Sequence, residues 1–176
     1  MALEIVGHAI VSADGMIADA VHRMPAGLHN QADYRRFQAA LDQSRVVVLG
    51  RWGHEMHPNP GRLRLVVTTR VARLDVDPAD PKAIYWNPAG VGPREVIDEL
   101  GVVDGTVAVT GGTRVFDLFL PIFTGFDLVR VANFTIPDGV PCFSGGDPRQ
   151  VLTAEGLRVV HTVGLDGVAT LTVWRR

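Results

Sequence analysis

Apolar and polar positions alternate along this chain in short blocks, and each block carries the period of one structural element. Leu3–Val11 is apolar or small nearly throughout and predicts a buried first strand; Ser12–Gly15 breaks it and Met16–Ala18 resumes it. His22–His29, with Pro25 and Gly27, predicts a loop. Asn30 is an N-cap residue for a helix over Gln31–Asp42, with Tyr34, Phe37, Ala40 and Leu41 on one face. Val46–Leu49 and Leu65–Thr69 are short runs of the buried-strand type. Between them lies Gly53–Leu63, a loop rich in Pro, Gly and His that opens with a turn of helix. Ala83–Trp86 is a weaker strand within a Pro-rich surface connection, Asp75–Pro93, and Pro93–Leu100 is a helix ended by Gly101. After Val107–Val109, a strand, Thr113 stands as the N-cap of a helix bearing Val115, Phe116, Phe119 and Leu120. Asp127–Phe134 reads as a strand, and Asp138–Gly139 turns into a short edge segment, Val140–Phe143. Leu157–Leu165 and Val168–Arg175, joined around Asp166–Gly167, form a β-hairpin.

Strands alternate with helices until two strands pair at the end. This order predicts an α/β fold of three layers, α/β/α, with a mostly parallel sheet and an antiparallel C-terminal hairpin. No repeat or linker divides the chain, so residues 1–176 are expected to form a single domain.

Charge and cysteine content narrow the classes of function. Seventeen basic and nineteen acidic residues are scattered along the chain, with a net charge of −2, which argues against a nucleic-acid partner. Cys142 is the only cysteine, so an internal disulfide and a multi-thiolate metal site are excluded and a reducing cytoplasm is the expected compartment. The apolar N-terminus lacks a basic region before it and carries Glu4, unlike a signal peptide, and no apolar run is long enough for a membrane span.

The chemistry concentrates in Thr106–Leu120, where a strand meets Gly111–Gly112 and then a helix start. Such a junction sets unpaired N–H groups and a positive dipole end beside an open backbone, and Arg114 adds a cation: an anion site, best suited to phosphate. A glycine pair there is also an ordinary chain reversal. The phosphate reading gains from a second strand of the same grammar, Val46–Leu49 followed by Gly50–Arg51, so two such ends would grip a dinucleotide. Neither GxGxxG nor GxxxxGK[ST] occurs. His22, His29, His54 and His57 lack the spacing of metal ligands, and no metal is expected. Cys142 reads as an inert apolar residue, and Trp52, Trp86 and Trp174 as packing residues.

Five short motifs in order resemble the dihydrofolate reductase-like superfamily, closest to the C-terminal reductase domain of riboflavin biosynthesis enzymes. Ser12–Ala18 (SADGMIA) is similar to its S-x-D-G-x-I-A opening, and Val48–Arg51 to its strand-Gly-Arg segment. Pro60–Arg70 is similar to its Gly-Arg-strand-Ser/Thr passage, Thr110–Phe116 to its GG-x-x-[VL]-[YF] unit, and Asp127 with Gly139–Phe143 to its late strand and G-x-x-x-F element.

The resemblance implies an NADPH-dependent reductase that transfers hydride to a pyrimidine, of the 5-amino-6-(5-phosphoribosylamino)uracil type, or to a pterin. It implies that Gly50, Arg51, Trp52 and Gly53 receive the pyrophosphate and adenosine phosphate. Thr69, Arg70 and Arg114 are then candidates for the 2′-phosphate. Gly111 and Gly112, through a peptide that tends to be cis in the family, approach the pyrophosphate and nicotinamide ribose, with Thr113 and Val115 continuing the segment. Ala9, Ile17 and Ala18 border the nicotinamide. Asp33 stands where folate reducers carry the acid that binds the pterin, with Phe37 one turn on, and is the catalytic candidate; it equally suits the first turn of a helix on dipole grounds alone. Arg62 matches the arginine that holds the folate glutamate, and His8, inside the first strand, is either a hydrogen-bonded core residue or a substrate contact.

Departures keep other readings open. Ala26 and Gly27 follow Met24–Pro25 where folate reducers place Trp, Gly53 replaces an expected Thr, and His57–Pro58 stands where the riboflavin branch has Asp-Pro. The position of a Thr bonded to the acid falls at Val131 or Ala132. A stand-alone dihydrofolate reductase-like enzyme is one alternative; a non-catalytic nucleotide-binding protein on the same fold is another; a structural dimer module is a third, disfavoured by the Gly and Arg residues at strand ends. Riboflavin-type relatives pair through sheet edges, so a homodimer is expected, with Leu171, Val173 and Trp174 of the hairpin offering the edge.

Overall fold

The computed structural model describes residues 1–176. In chain order its elements are β1 (Leu3–Ser12), β2 (Met16–Ala18), α1 (Gln31–Gln43), β3 (Val46–Gly50), α2 (Arg51–Met56), β4 (Arg64–Val67), β5 (Leu74–Val76), β6 (Ala83–Trp86), α3 (Pro93–Glu99), β7 (Gly105–Val109), α4 (Thr113–Phe119), β8 (Gly125–Val131), β9 (Val140–Pro141), α5 (Pro148–Ala154), β10 (Arg158–Gly164) and β11 (Ala169–Arg175). Nine strands form one sheet in the order β10-β11-β8-β1-β7-β3-β4-β6-β5, and β2 pairs with β9 in a small ribbon. The strands from β8 to β6 run parallel; β5 pairs antiparallel with β6, β11 with β8, and β10 with β11. The mostly parallel sheet and its antiparallel C-terminal end match the expected architecture. No helix is long and apolar enough to cross a membrane.

The central strands are apolar on both faces because both are covered, as parallel sheets require. Val46–Leu49 of β3 is buried throughout. Val46 and Val48 join Ile5, Val107, Phe116, Phe119, Phe123, Phe126 and Trp86 on one side, while Val47 and Leu49 pack with Leu41 of α1 on the other. A smaller cluster, Leu28, Val129, Val131 and Ile136, closes the end near β2.

Asn30 caps α1 as expected, its side-chain oxygen accepting the Asp33 N–H at 2.9 Å. The buried stripe differs from the expected one. Tyr34 is exposed and Asp33 buried, so the helix faces the sheet with Asp33, Arg36, Phe37, Ala40 and Leu41, and its first inward residue is a carboxylate. Thr113 is not a cap either. Gly112 holds that position, and the Thr113 hydroxyl instead donates to the Pro141 carbonyl at 2.6 Å, tying α4 to β9. Trp52 is 57% exposed, whereas Trp86 and Trp174 are buried. Nor do Leu171 and Trp174 lie on an open edge: β11 is paired on both sides and both residues are buried, so the open edge is β10, with exposed Val159 and Val160. The strand expected through Phe134 ends at Val131, and α5 and β5 are additional elements.

Candidate active site

Parallel strands place their carboxyl ends on one edge of the sheet, and there β1, β7 and β3 open onto a cleft of about 1450 Å³. One wall comes from α1, the other from Leu49, Gly53 and the segment Met56–Leu63; Thr110, Gly111 and Gly112 close it from beneath.

A buried polar cluster lies at the α1 side. The β1–β8 register sets His8 directly opposite Asp127 on the sheet face that α1 covers, which brings Asp33, Arg36 and Phe37 over the pair. The Asp33 Oδ1 accepts from Arg36 Nη2 at 2.8 Å and Nε at 3.3 Å. Arg36 Nη1 then reaches Asp127 Oδ2 at 3.2 Å, and Arg175 Nη1 donates to Asp127 Oδ1 at 3.2 Å. Burial pushes the Asp33 carboxyl above the usual carboxylate range despite Arg36, with Asp127 adding to the rise. His8 Nδ1 stands 3.7 Å from Asp127 Oδ2, beyond hydrogen-bond reach, and has no partner. Burial takes the His8 pKa down to about 4; Asp127 opposes this while Arg36 and Arg175 reinforce it, so the imidazole is neutral at pH 7. The His8 and Phe37 rings lie 5.9 Å apart at a tilt of 58°.

At the other end two glycine turns meet. Gly50 N–H donates to the Gly111 carbonyl at 3.0 Å, which joins the ends of β3 and β7. The short helices α2 and α4 begin there behind Gly50 and Gly112, and neither cap residue supplies a side-chain bond to the first-turn N–H groups. The Gly111–Gly112 peptide is cis. A Cβ on Gly112 would meet only Ile17 Cδ1, at 3.8 Å, so the backbone is open to the cleft and Ile17 borders it. Arg70 and Arg114 are exposed, follow β4 and β7 on the same sheet edge, and make no ion pair, whereas Arg51 is held by Glu55 at 2.8 Å. These groups fit a phosphate-bearing dinucleotide: open glycine backbone for the pyrophosphate and two uncommitted guanidinium groups for a further phosphate.

Of the expected site residues, His8, Ala9, Ile17, Asp33, Phe37, Gly53, Arg62, Gly111 and Gly112 line this one cleft. Gly50, Arg51, Trp52, Thr69, Arg70, Thr113 and Arg114 sit at the same strand ends but outside its lining; Val115 is buried beneath Gly50. Ala18 pairs with Val140 in the ribbon. Arg62 lines the wall with its guanidinium already committed, to Asp42 at 2.5 Å, Asn59 at 2.7 Å and Gln38 at 2.9 Å. The charged residue that joins the Asp33 cluster from β8 is Asp127, while Val131 packs in the core against Leu28. Arg36 and Asp127 were not singled out from sequence as site residues. The signals were Arg36 three residues after Asp33, and a carboxylate inside an apolar strand.

Three solved structures share this arrangement of elements over nearly the whole chain. The dihydrofolate reductase from Enterococcus faecalis, complexed with NADP(H) and RAB-propyl, superposes with a TM-score of 0.70 at 17% identity, covering 98% of this chain and 96% of that one. The fold is that of dihydrofolate reductase. A protein of Shewanella sp. PV-4 described as a riboflavin biosynthesis protein gives a TM-score of 0.72 at 15% identity over 98% of both chains. The diaminohydroxyphosphoribosylaminopyrimidine deaminase/5-amino-6-(5-phosphoribosylamino)uracil reductase from Thermotoga maritima gives 0.70 at 16% identity, covering 99% of this chain and 56% of that longer one. By sequence, no family model and no curated protein matches. At these identities the likeness establishes the dihydrofolate reductase-like fold.

Proposed function

We propose that the chain is a reductase that uses NADPH to reduce a small heterocycle, a pyrimidine of the 5-amino-6-(5-phosphoribosylamino)uracil type or a pterin. One observation carries the reading: a single cleft joins an open glycine backbone at one end to a buried carboxylate, imidazole and aromatic ring at the other. Gly111, Gly112 and Gly50 would hold the pyrophosphate, Arg70 and Arg114 the 2′-phosphate, and Ile17 the nicotinamide side. NADPH, when bound, supplies the hydride. The chain's own residues do the rest. Phe37 seats the ring, and Asp33 Oδ2, the oxygen that Arg36 leaves open, orients it and holds the proton that balances the hydride. The committed guanidinium of Arg62 disfavours a substrate bearing a free carboxylate tail.

The proposed assembly is a homodimer through the open strand β10, and the proposed compartment is the cytoplasm. The test of function is NADPH consumption, followed by absorbance, over a panel of dihydropterins, dihydrofolate and ribosylaminouracils. Turnover with a pyrimidine or pterin supports the reading. NADPH binding without turnover on any of them leaves a nucleotide-binding protein on a reductase fold.

A further inference from the structure

A second buried charge lies behind the cleft wall that faces α1. Arg64 opens β4 on the sheet face of Val66, which α1 also covers, and its side chain is wholly enclosed. It does not line the cleft; the segment His57–Arg62 does. That segment has little backbone bonding of its own. Pro58 and Pro60 have no N–H to give, and Asn59 and Gly61 stand at φ of +48° and +85°. One backbone bond closes it on itself, from Arg62 N–H to the Asn59 carbonyl at 3.3 Å. Its carbonyls are taken by cations instead. Arg64 Nη1 donates to Pro58 at 2.5 Å and to Asn59 at 3.2 Å, and Lys82 Nζ to Gly61 at 2.8 Å. Arg64 Nη2 pairs with Asp80 Oδ2, while Asp80 Oδ1 accepts the Lys82 N–H at 3.1 Å. The connection between β5 and β6 therefore braces the wall twice, through Asp80 and through Lys82.

We propose that Arg64 is a positioning residue: it fixes where Pro58–Arg62 stands against Phe37 and so, on the reading given under Proposed function, the gap that receives the ring. Two features support this. Burying a guanidinium costs free energy that an apolar residue at the head of a strand would not, and Arg64 Nε is left without a partner. What the charge secures is the position of two carbonyls in the cleft wall. The fork geometry of the guanidinium also lets one side chain hold both carbonyls and Asp80 at once, which a point charge does poorly.

The test compares wild type with Arg64→Met, Arg64→Lys and Asp80→Asn by thermal melting, by tryptic cleavage of the native protein, and by titration calorimetry. The calorimetric probes are 7,8-dihydrobiopterin, 5,6-diaminouracil and NADPH. Seventeen basic residues offer trypsin sites throughout the chain. In Arg64→Met the cut after Arg62 should quicken at least about tenfold while the other sites stay protected. Asp80 is 43% exposed, so removing Arg64 strands no buried charge and melting should change little. Ring affinity should fall about tenfold with NADPH affinity unchanged, a split that general loosening would not give. Arg64→Lys should recover part of both effects, and Asp80→Asn should show them about threefold. Wild-type cleavage and ring affinity in Arg64→Met overturn the proposal, as do cleavage spread over the whole chain or a parallel loss of NADPH. If Arg64→Met does not fold, Arg64→Lys and Asp80→Asn decide by the same criteria. A wild-type protein that binds neither ring refutes the reading under Proposed function, and the cleavage pattern then decides the brace alone.

Discussion

Arg36→Met is the perturbation whose consequences the structure states most fully. The guanidinium bonds Asp33 at 2.8 Å and 3.3 Å and Asp127 at 3.2 Å. Methionine keeps most of the aliphatic volume and removes the charge. Asp127 retains Arg175, but Asp33 loses its only ion-pair partner while staying 11% exposed at its side chain. Breaking a buried pair from one side costs roughly 3–5 kcal/mol. Arg36 itself is 23% exposed, so water softens the loss to about 2–3 kcal/mol at pH 7. The cost must depend on pH. Asp33 already has a raised carboxyl pKa in the folded protein, and removing the cation raises it further. A carboxyl raised on folding penalises the native state above its folded pKa, and the penalty vanishes as pH falls below its unfolded value of about 4. His8, relieved of Arg36, also accepts a proton more readily in acid, which acts in the same direction. Urea denaturation of wild type and variant at pH 7 and pH 4.5 (a pH of about 4.5, between the unfolded carboxylate and imidazole values) should show the gap shrinking in acid. A gap that is absent, or that stays constant with pH, would refute the claim that Arg36 neutralises Asp33.

Because His8 sits at about 4 when folded against 6.5 when free, the native state binds fewer protons between those values, so stability rises with pH across that window; the whole step is about 3 kcal/mol, and an acid titration of His8→Leu should lack it. Gly7→Ala would place a Cβ 2.3 Å from the Phe126 ring, and calorimetry should show a melting temperature lowered by an overpacking cost of about 1–3 kcal/mol. Arg114→Ala should weaken NADPH about tenfold while leaving NADH unchanged, by fluorescence titration, since an exposed guanidinium with no internal partner leaves no fold contact to lose.

Much of the fold was legible because its elements state their own period. Val46–Gly50 is a run that only a sheet covered on both faces accommodates, and Asn30 marks the start of α1 by the bond it makes. The glycine turn after β7 marked Gly111 and Gly112, which line the cleft, while Gly50 lies outside its lining. Legibility ended where contacts depend on register. Asp127 meets His8 because β8 pairs with β1 across 119 residues of sequence, and no local pattern encodes that. Tyr34 looked inward because helical spacing treats an aromatic as core; the inward position belongs to Asp33, whose charge is affordable only beside Arg36. Thr113 looked like a cap, yet Gly112 takes that place and the hydroxyl serves β9. Asp147–Pro148 did carry a start signal, a capping carboxylate followed by proline at the first helical position, and α5 begins there.

The central claim is that this cleft binds a phosphate-bearing pyridine nucleotide across Gly111 and Gly112, at the strand ends that Gly50 joins. Fluorescence titration with NADPH and NADH, on wild type and on Gly111→Ala, tests it most directly. Alanine at a φ of +96°, with its Cβ 2.7 Å from the Phe116 ring, must disturb that turn. Binding is expected to be saturable, to favour NADPH and to be lost in the variant. Failure of either nucleotide to bind the wild-type protein, or binding that Gly111→Ala leaves untouched, would contradict it.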